Sequence, residues 1–276
     1  MAQRKNINHI YNPKNQSKEE LVEGFVVRLP LFHRLFEELK SSKMTYPEQH
    51  FLIVGKRGMG KTTLLLRLAI EIENTPEIQS WMVPIVFNEE EYGVRKLFRF
   101  WERIIELLIE KDAAFARLRS KIDELSAEIQ KDLDYEKALF QELEKALQDR
   151  GKKVVLFIDN FGDMFSKFSE QEARRLRKIL QTSAELRILA ASSVVMEAFY
   201  MYNYPFYEFF KVERLEGLSS VDTQKLLLNL ADRYSQQELI RQIIERQPGR
   251  IESLRRLTGG VIRTMILLFE IFIDEE

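Results

Sequence analysis

Cysteine is absent from this sequence, which excludes a disulfide framework and any thiolate metal site and suits a reducing compartment. Net charge is nearly absent too, since 42 basic and 43 acidic residues leave a formal charge of -1. No global field draws the chain toward nucleic acid or an anionic surface, so any such binding has to be local. Histidine is sparse, with His9, His33 and His50 scattered along the chain. The polar N-terminus lacks the apolar segment of a signal peptide, and the most apolar late stretch, residues 265–273, is interrupted by Glu270. A membrane span needs about 20 predominantly apolar residues, so the chain reads as soluble, cytoplasmic and without membrane contact. Hydrophobic residues make up 45% of its 276 positions, which argues against disorder and suffices for one large domain or a domain with a small lid.

What the sequence does have is one organising stretch, Phe51-Leu52-Ile53-Val54-Gly55-Lys56-Arg57-Gly58-Met59-Gly60-Lys61-Thr62-Thr63, followed by Leu64-Leu65-Leu66. An apolar run breaks into a glycine-rich turn and resumes as an apolar helix. Gly55, Gly60, Lys61 and Thr62 fit the phosphate-binding loop pattern, in which backbone N–H groups and a helix N-terminus face negative charge. The loop positions Gly55, Lys56, Arg57, Gly58, Met59, Gly60, Lys61, Thr62 and Thr63 are therefore the candidate phosphate cradle. Lys61 would reach the β- and γ-phosphates and the Thr62 hydroxyl would complete a Mg²⁺ shell. Further on, Val154-Val155-Leu156-Phe157-Ile158 is closed by Asp159. A fully apolar strand belongs in a parallel sheet covered on both faces, and a carboxylate at its C-terminal end sits where such sheets bind ligands. Asp159 is the second candidate metal residue.

The rest of the chain alternates. Residues 1–24 read as an N-terminal arm, 29–40 as an amphipathic helix, and 81–87 as a buried strand ending at Glu89, Glu90 and Glu91. Leu97, Phe98, Trp101, Ile104, Ile105 and Leu108 make one helical face. Residues 115–150 carry a narrower seam of Leu118, Ile122, Leu125 and Ile129, predicting a helical hairpin inserted between strands. A charged helix over 170–180, strands over 187–191 and 209–215, and an all-helical tail from 219 with breaks at Pro248-Gly249 and Gly259-Gly260 complete the pattern. The predicted fold is α/β: a three-layer P-loop NTPase domain with a parallel sheet over 25–216, carrying a helical insertion at about 94–150, then a smaller α-helical lid over 217–276.

With these residues in place, the chain resembles the AAA+ branch of P-loop ATPases, especially archaeal-type and STAND-like ATPases. Phe25-Val26-Val27-Arg28 looks like the family's entry box, residues 187–193 lie where a sensor 1 strand belongs, and Thr258-Gly259-Gly260-Val261-Ile262-Arg263 resembles the sensor 2 box of the lid. The resemblance implies ATP and Mg²⁺ as ligands and ATP hydrolysis as the activity. It implies that Ser192 or Ser193 senses the γ-phosphate and that Arg263 reaches the phosphates from the lid. An arginine there adds a fixed, always-charged donor fork. One position departs from the family pattern: Asn160 stands where efficient members carry Glu. An amide orients a water but cannot accept its proton, so turnover is expected to be slow. Glu89, Glu90, Glu91 or Asp163 are substitute bases to test. Arg214, Lys211 and the cluster Arg174, Arg175, Arg177 and Lys178 are candidates for an arginine finger or a phosphate-backbone contact. The aromatic cluster from Phe199 to Phe210 is expected to serve core and lid packing.

Two functional classes follow from the resemblance. One is an ATP-dependent switch that controls self-assembly into a homo-oligomer or binding to a partner protein. The other is a DNA-loading ATPase gripping duplex DNA, similar to replication initiators or transposition regulators. Near-zero net charge favours the first slightly. Relatives often continue into a winged-helix or repeat domain after the lid, so the reading that this sequence is a piece of a longer chain stays open.

Overall fold

The computed structural model describes residues 13–87, 93–193 and 204–274. His9, Glu89, Glu90, Glu91, Phe199, Tyr200, Tyr202 and the first half of the expected arm lie outside these residues. Helix α1 (Lys18–Gly24) begins with a capping box, the Ser17 hydroxyl accepting from the Glu20 amide and the Glu20 carboxylate from the Ser17 amide, worth about 1 kcal/mol. Helix α2 (Leu29–Ser41) carries Pro30 in its first turn, where no backbone donor is needed. Its buried residues Phe32, Leu35, Phe36 and Leu39 repeat at helical spacing. Strand β1 (His50–Val54) feeds the glycine turn and helix α3 (Lys61–Asn74). Pro76 ends that helix and starts a single turn, α4 (Pro76–Gln79). Strand β2 (Met82–Phe87) tolerates Pro84 because among the described residues it pairs only with β3 (Lys153–Ile158), at the edge of the sheet.

Between β2 and β3 lie α5 (Leu97–Lys111), α6 (Arg117–Glu128) and α7 (Asp132–Asp149). After β3 come the short α8 (Phe161–Phe165), then α9 (Glu170–Thr182), β4 (Leu186–Ser192) and β5 (Phe210–Arg214). Among the described residues the strands form one sheet in the order β2-β3-β4-β1-β5, and all of its pairings are parallel. Parallel strands covered on both faces read as continuous apolar runs, and β1 is buried at all five positions. One face packs Leu52, Leu156 and Ile188 against Phe100, Trp101 and Leu143. The other packs Phe51, Phe157 and Leu189 against Leu35, Leu64 and Leu68. Each fully buried Leu or Phe of this kind contributes about 1.5–3 kcal/mol.

The insertion is tied down rather than projecting. Leu118 is buried, and Ile122, Leu125 and Ile129 pack partly buried against the first core, as the seam predicts. The Tyr135 hydroxyl donates to Glu102 Oε1 at 2.7 Å, and Arg175 on α9 clamps the Glu136 carboxylate at 2.6 and 2.7 Å. The tail forms α10 (Ser220–Tyr234), α11 (Gln237–Arg246), α12 (Pro248–Thr258) and α13 (Ile262–Asp274). These helices share a third core of Leu226, Leu227, Leu230, Ile240, Ile251, Met265 and Phe269, into which Val27 reaches. Phe25, two residues earlier, packs instead in the sheet core, so this entry stretch joins the two bodies. Among the described residues no helix is long and apolar enough to cross a membrane. The architecture is thus the expected three-layer α/β domain with a parallel sheet, followed by a helical region.

Candidate functional site

Because β4 lies between β1 and β3, the C-terminal ends of all three strands open at one edge of the sheet, where such folds hold ligands. At the end of β1 the chain turns through Gly58 at φ 84° and Gly60 at φ 87°, left-handed values that glycine adopts without a Cβ penalty. The Gly55 amide donates to the Ser192 carbonyl at 3.3 Å, fastening the loop to β4. Lys61 is buried to 8% exposure, and its Nζ donates to the carbonyls of Gly55 at 2.7 Å and Lys56 at 3.1 Å. The loop thus folds back over its own lysine.

Thr62 and Asp159 lie 97 residues apart in the chain, and the Thr62 hydroxyl donates directly to Asp159 Oδ2. The other carboxylate oxygen accepts the Asn160 amide at 2.9 Å. Two hard oxygen donors side by side suit Mg²⁺, which keeps most of its shell as water and phosphate oxygens. Among the described residues no group of three or more His, Asp or Glu is placed to hold a metal by itself. Asn160 starts α8 at φ 52°, ψ 37°, a left-handed conformation that Asn tolerates better than most residues.

The cleft formed here is lined by Arg57, Gly58, Gly60, Lys61, Thr62, Thr63, Asp159, Asn160, Ser193 and Arg263, with Pro13, Ile262 and Ile266. The first turns of α3 and α13 both contribute, so two helix N-termini with partial positive charge meet at it. The Arg263 amide donates to the Gly58 carbonyl at 3.1 Å. Of the two serines, exposed Ser193 lines the cleft, whereas Ser192 is buried at 2% exposure within β4. Met59 turns its side chain into the sheet core, leaving only its backbone for the loop.

A second cavity shares Pro13, Gly60, Thr63, Ile262 and Ile266 with the first and is walled by Leu21, Phe25, Val27, Leu226 and Leu230. The two cavities share a wall and differ in character, the first polar and the second largely apolar with Gln16, Arg28, Asn229 and Arg233 also lining it. The sequence did not reveal this pocket, because its wall comes from α1, the entry stretch and α10, distant in the chain. Arg28 stands at its rim in a left-handed conformation, φ 66°, with its Nη2 donating to the Glu216 carbonyl. Burial pulls the Arg28 guanidinium below its ordinary pKa, while Asp222 and Glu216 act the other way.

Other candidates lie elsewhere. Asp163 is exposed, pairs with Lys167 at 2.8 Å and does not line the cleft. Lys211 pairs with Glu38 at 3.1 Å, Arg174 with Glu170 at 2.6 Å and Arg175 with Glu136. Arg177 donates to the carbonyls of Pro205 and Tyr207. Phe206, Phe209 and Phe210 pack with Phe161 and Phe165, so the described part of the aromatic cluster builds core beneath α8, behind Asp159.

Parallel sheet, glycine loop, buried lysine and paired Thr62 and Asp159 define a P-loop NTPase. The profile of the AAA ATPase domain matches residues 24–191, more than half of the chain, and the chain belongs to that family. No curated protein sequence matches it. Among solved structures, it is similar to the Aeropyrum pernix ORC1 protein in complex with DNA, at 13% identity and a TM-score of 0.56, over 97% of this chain and 64% of that one. It is also similar to the Aeropyrum pernix ORC2 protein (16% identity, TM-score 0.49, 79% of this chain and 53% of that one). Cdc6p from Pyrobaculum aerophilum aligns at 14% identity and a TM-score of 0.46, over 82% of this chain and 53% of that one. The chain therefore spans between about half and two thirds of these proteins, and the likeness to the first is one of fold.

Proposed function

We propose that the chain binds MgATP in this cleft, hydrolyses it slowly, and uses the bound state as a switch for assembly with itself or a partner protein. The observation that carries the reading is the direct Thr62 to Asp159 hydrogen bond beside buried Lys61. In this reading residues 25–216 hold the phosphates and 217–276 form the lid. Thr62 and Asp159 would hold Mg²⁺, which would draw charge from the phosphates. Lys61 turns its ammonium from the Gly55 and Lys56 carbonyls toward phosphate oxygens, the loop amides of residues 55–63 cradle them, and Arg263 adds a charge from the lid. The apolar cavity takes the base. Ser193, better placed than Ser192, orients the water or the terminal phosphate. Asn160 positions that water without taking its proton, which keeps turnover low.

The test is thermal unfolding with and without MgATP. A ligand bound only by the folded chain stabilises it by about 2.7 kcal/mol at a hundred times Kd. We expect that shift in the unmutated chain and none in Lys61→Ala; an equal shift in both would remove the phosphate-loop assignment. The second reading, a grip on duplex DNA, draws on the fold likeness to the Aeropyrum pernix protein solved with DNA. A salt-sensitive, ATP-dependent mobility shift with duplex DNA would favour it over the assembly switch.

A further inference from the structure

The helical region is fastened to the phosphate loop by a ring of backbone contacts. The Leu215 amide donates to the Val54 carbonyl at 2.7 Å, the Leu218 amide to the Gly260 carbonyl at 2.9 Å, and the Arg263 amide to the Gly58 carbonyl at 3.1 Å. The ring thus runs from the end of β1 through the linker at 215–218, across to the Gly259-Gly260 turn, into the start of α13 and back to the loop. At its centre two chains touch without side chains between them. A Cβ built on Gly217 would fall inside the Gly259 carbonyl oxygen and 3.3 Å from the Gly260 Cα. One on Gly260 would meet the Leu218 nitrogen at 2.5 Å and the Gly217 Cα at 2.8 Å. Gly259 and Gly260 also need glycine for their positive φ of 61° and 70°. Gly217 is outside that left-handed set, so close approach alone demands glycine there.

We propose that Gly217 is a positioning residue, the seat into which the Gly259-Gly260 turn docks so that Arg263 stays over the phosphate loop, and that this seat sets how long a nucleotide remains bound. The consequence for nucleotide rests on the proposed function; the seat itself does not. Gly217 is not among the residues that line the cleft, so its action on a nucleotide there runs through the Gly259-Gly260 turn and the start of α13. A methyl group at 217 meets backbone, which cannot swing aside as a flexible side chain would. The turn must lift, taking the start of α13 away from Gly58. Mutational changes in affinity fall mostly on dissociation, so release should speed up by about tenfold or more while association changes little.

The experiment is stopped-flow release of methylanthraniloyl-ATP from the full chain, from Gly217→Ala and from Gly249→Ala. The last is the control, since a Cβ at Gly249 meets nothing within 4 Å. Faster release in Gly217→Ala with Gly249→Ala unchanged supports the seat, and equal release in all three overturns it. Hydrogen exchange on the unmutated chain decides the matter should Gly217→Ala not fold. Arg263, in the first turn of α13, has no intrahelical acceptor, and Leu218 lies in the linker before α10, so slow exchange at these two amides reports the ring, whereas loop-like exchange at both overturns it. An unmutated chain that holds no nucleotide would instead remove the proposed function, with exchange at these two amides still deciding the seat.

Discussion

Asn160 can be made to reveal whether a missing base limits turnover, because its geometry sets two effects of opposite sign on one substitution. The residue begins α8 at φ 52° and ψ 37°, with its amide held by Asp159 Oδ1. Left-handed backbone costs an ordinary L-residue about 1–2 kcal/mol, and Asn escapes part of that. Asn160→Glu should therefore lose about 1 kcal/mol of stability, which for a chain of this size lowers the melting temperature by about 2–4 °C. Against that loss stands the gain of a carboxylate in the cleft. General-base help is worth about 10² to 10⁴ in rate where the geometry allows it. The assay is phosphate release at saturating MgATP, run beside Asn160→Gly, which relaxes the backbone without supplying a base. We expect turnover to rise at least tenfold in Asn160→Glu, with a lower melting temperature. In Asn160→Gly, stability should hold or rise and turnover should not. A glutamate variant that binds MgATP normally and turns over no faster than the unmutated chain would refute the reasoning.

Two further outcomes follow from single sites. Asp159→Ala should leave ATP binding insensitive to Mg²⁺, because Thr62 alone supplies a single weak oxygen to the ion; titrations in Mg²⁺ and in chelator check this, and a retained Mg²⁺ dependence would move the metal elsewhere. His50 should make the fold acid-sensitive: it is 2% exposed, its Nδ1 accepts the Ile188 amide at 3.0 Å, and its Nε2–H donates to the Leu180 carbonyl. Burial, and secondarily the Arg187 charge, pushes its pKa from 6.5 to about 4 despite the Leu180 hydrogen bond. Between those values the unfolded chain binds the extra proton, so this contribution to stability is complete above pH 6.5 and is lost as pH falls toward 4. From pH 7 to pH 5 the loss is about 2 kcal/mol, measurable as a drop in urea midpoint that His50→Gln should largely remove.

The parts of the fold and site that depend on neighbours in sequence were legible. Glycine spacing located the phosphate loop, apolar runs located β1 and β3 to within a residue of their observed bounds, and the repeat of Leu97, Trp101, Ile104 and Leu108 located a core helix that begins three residues after Val94. Asp159 was found because a lone carboxylate closed an apolar strand. What escaped depends on contacts between distant residues. Ser192 and Ser193 are adjacent, and only the register of β4 against β1, which pairs Val54 with Ser192, buries one and exposes the other. Arg187 is a charged residue in the sequence, yet it is 1% exposed, bonded to the Gln49 and Glu38 carbonyls and lying over the Phe51 ring. Gly217 carries no local signal at all, since its need for glycine comes from a turn 42 residues onward.

The same long-range pairings bear on which partner the chain can grip. Arg174, Arg175, Arg177 and Lys178 on α9 are the sequence's candidates for an arginine finger or a phosphate-backbone contact. Glu136 is 4% exposed on its side chain and holds Arg175 by two hydrogen bonds. Releasing that arginine would strand a buried carboxylate, at a cost of about 3–5 kcal/mol, more than a typical surface phosphate contact returns. Arg177 is held by two carbonyls and the Phe209 ring. Arg174 differs, since its pair with Glu170 is exposed on both sides, and such pairs are worth about 0–1 kcal/mol and exchange readily. A phosphate contact on α9 would therefore cost least at Arg174, and each phosphate neutralised adds only about -1 to the salt slope. A duplex grip centred on α9 would have to break these contacts, since Arg175 fastens the α6–α7 insertion and Arg177 the 204–209 turn to the core.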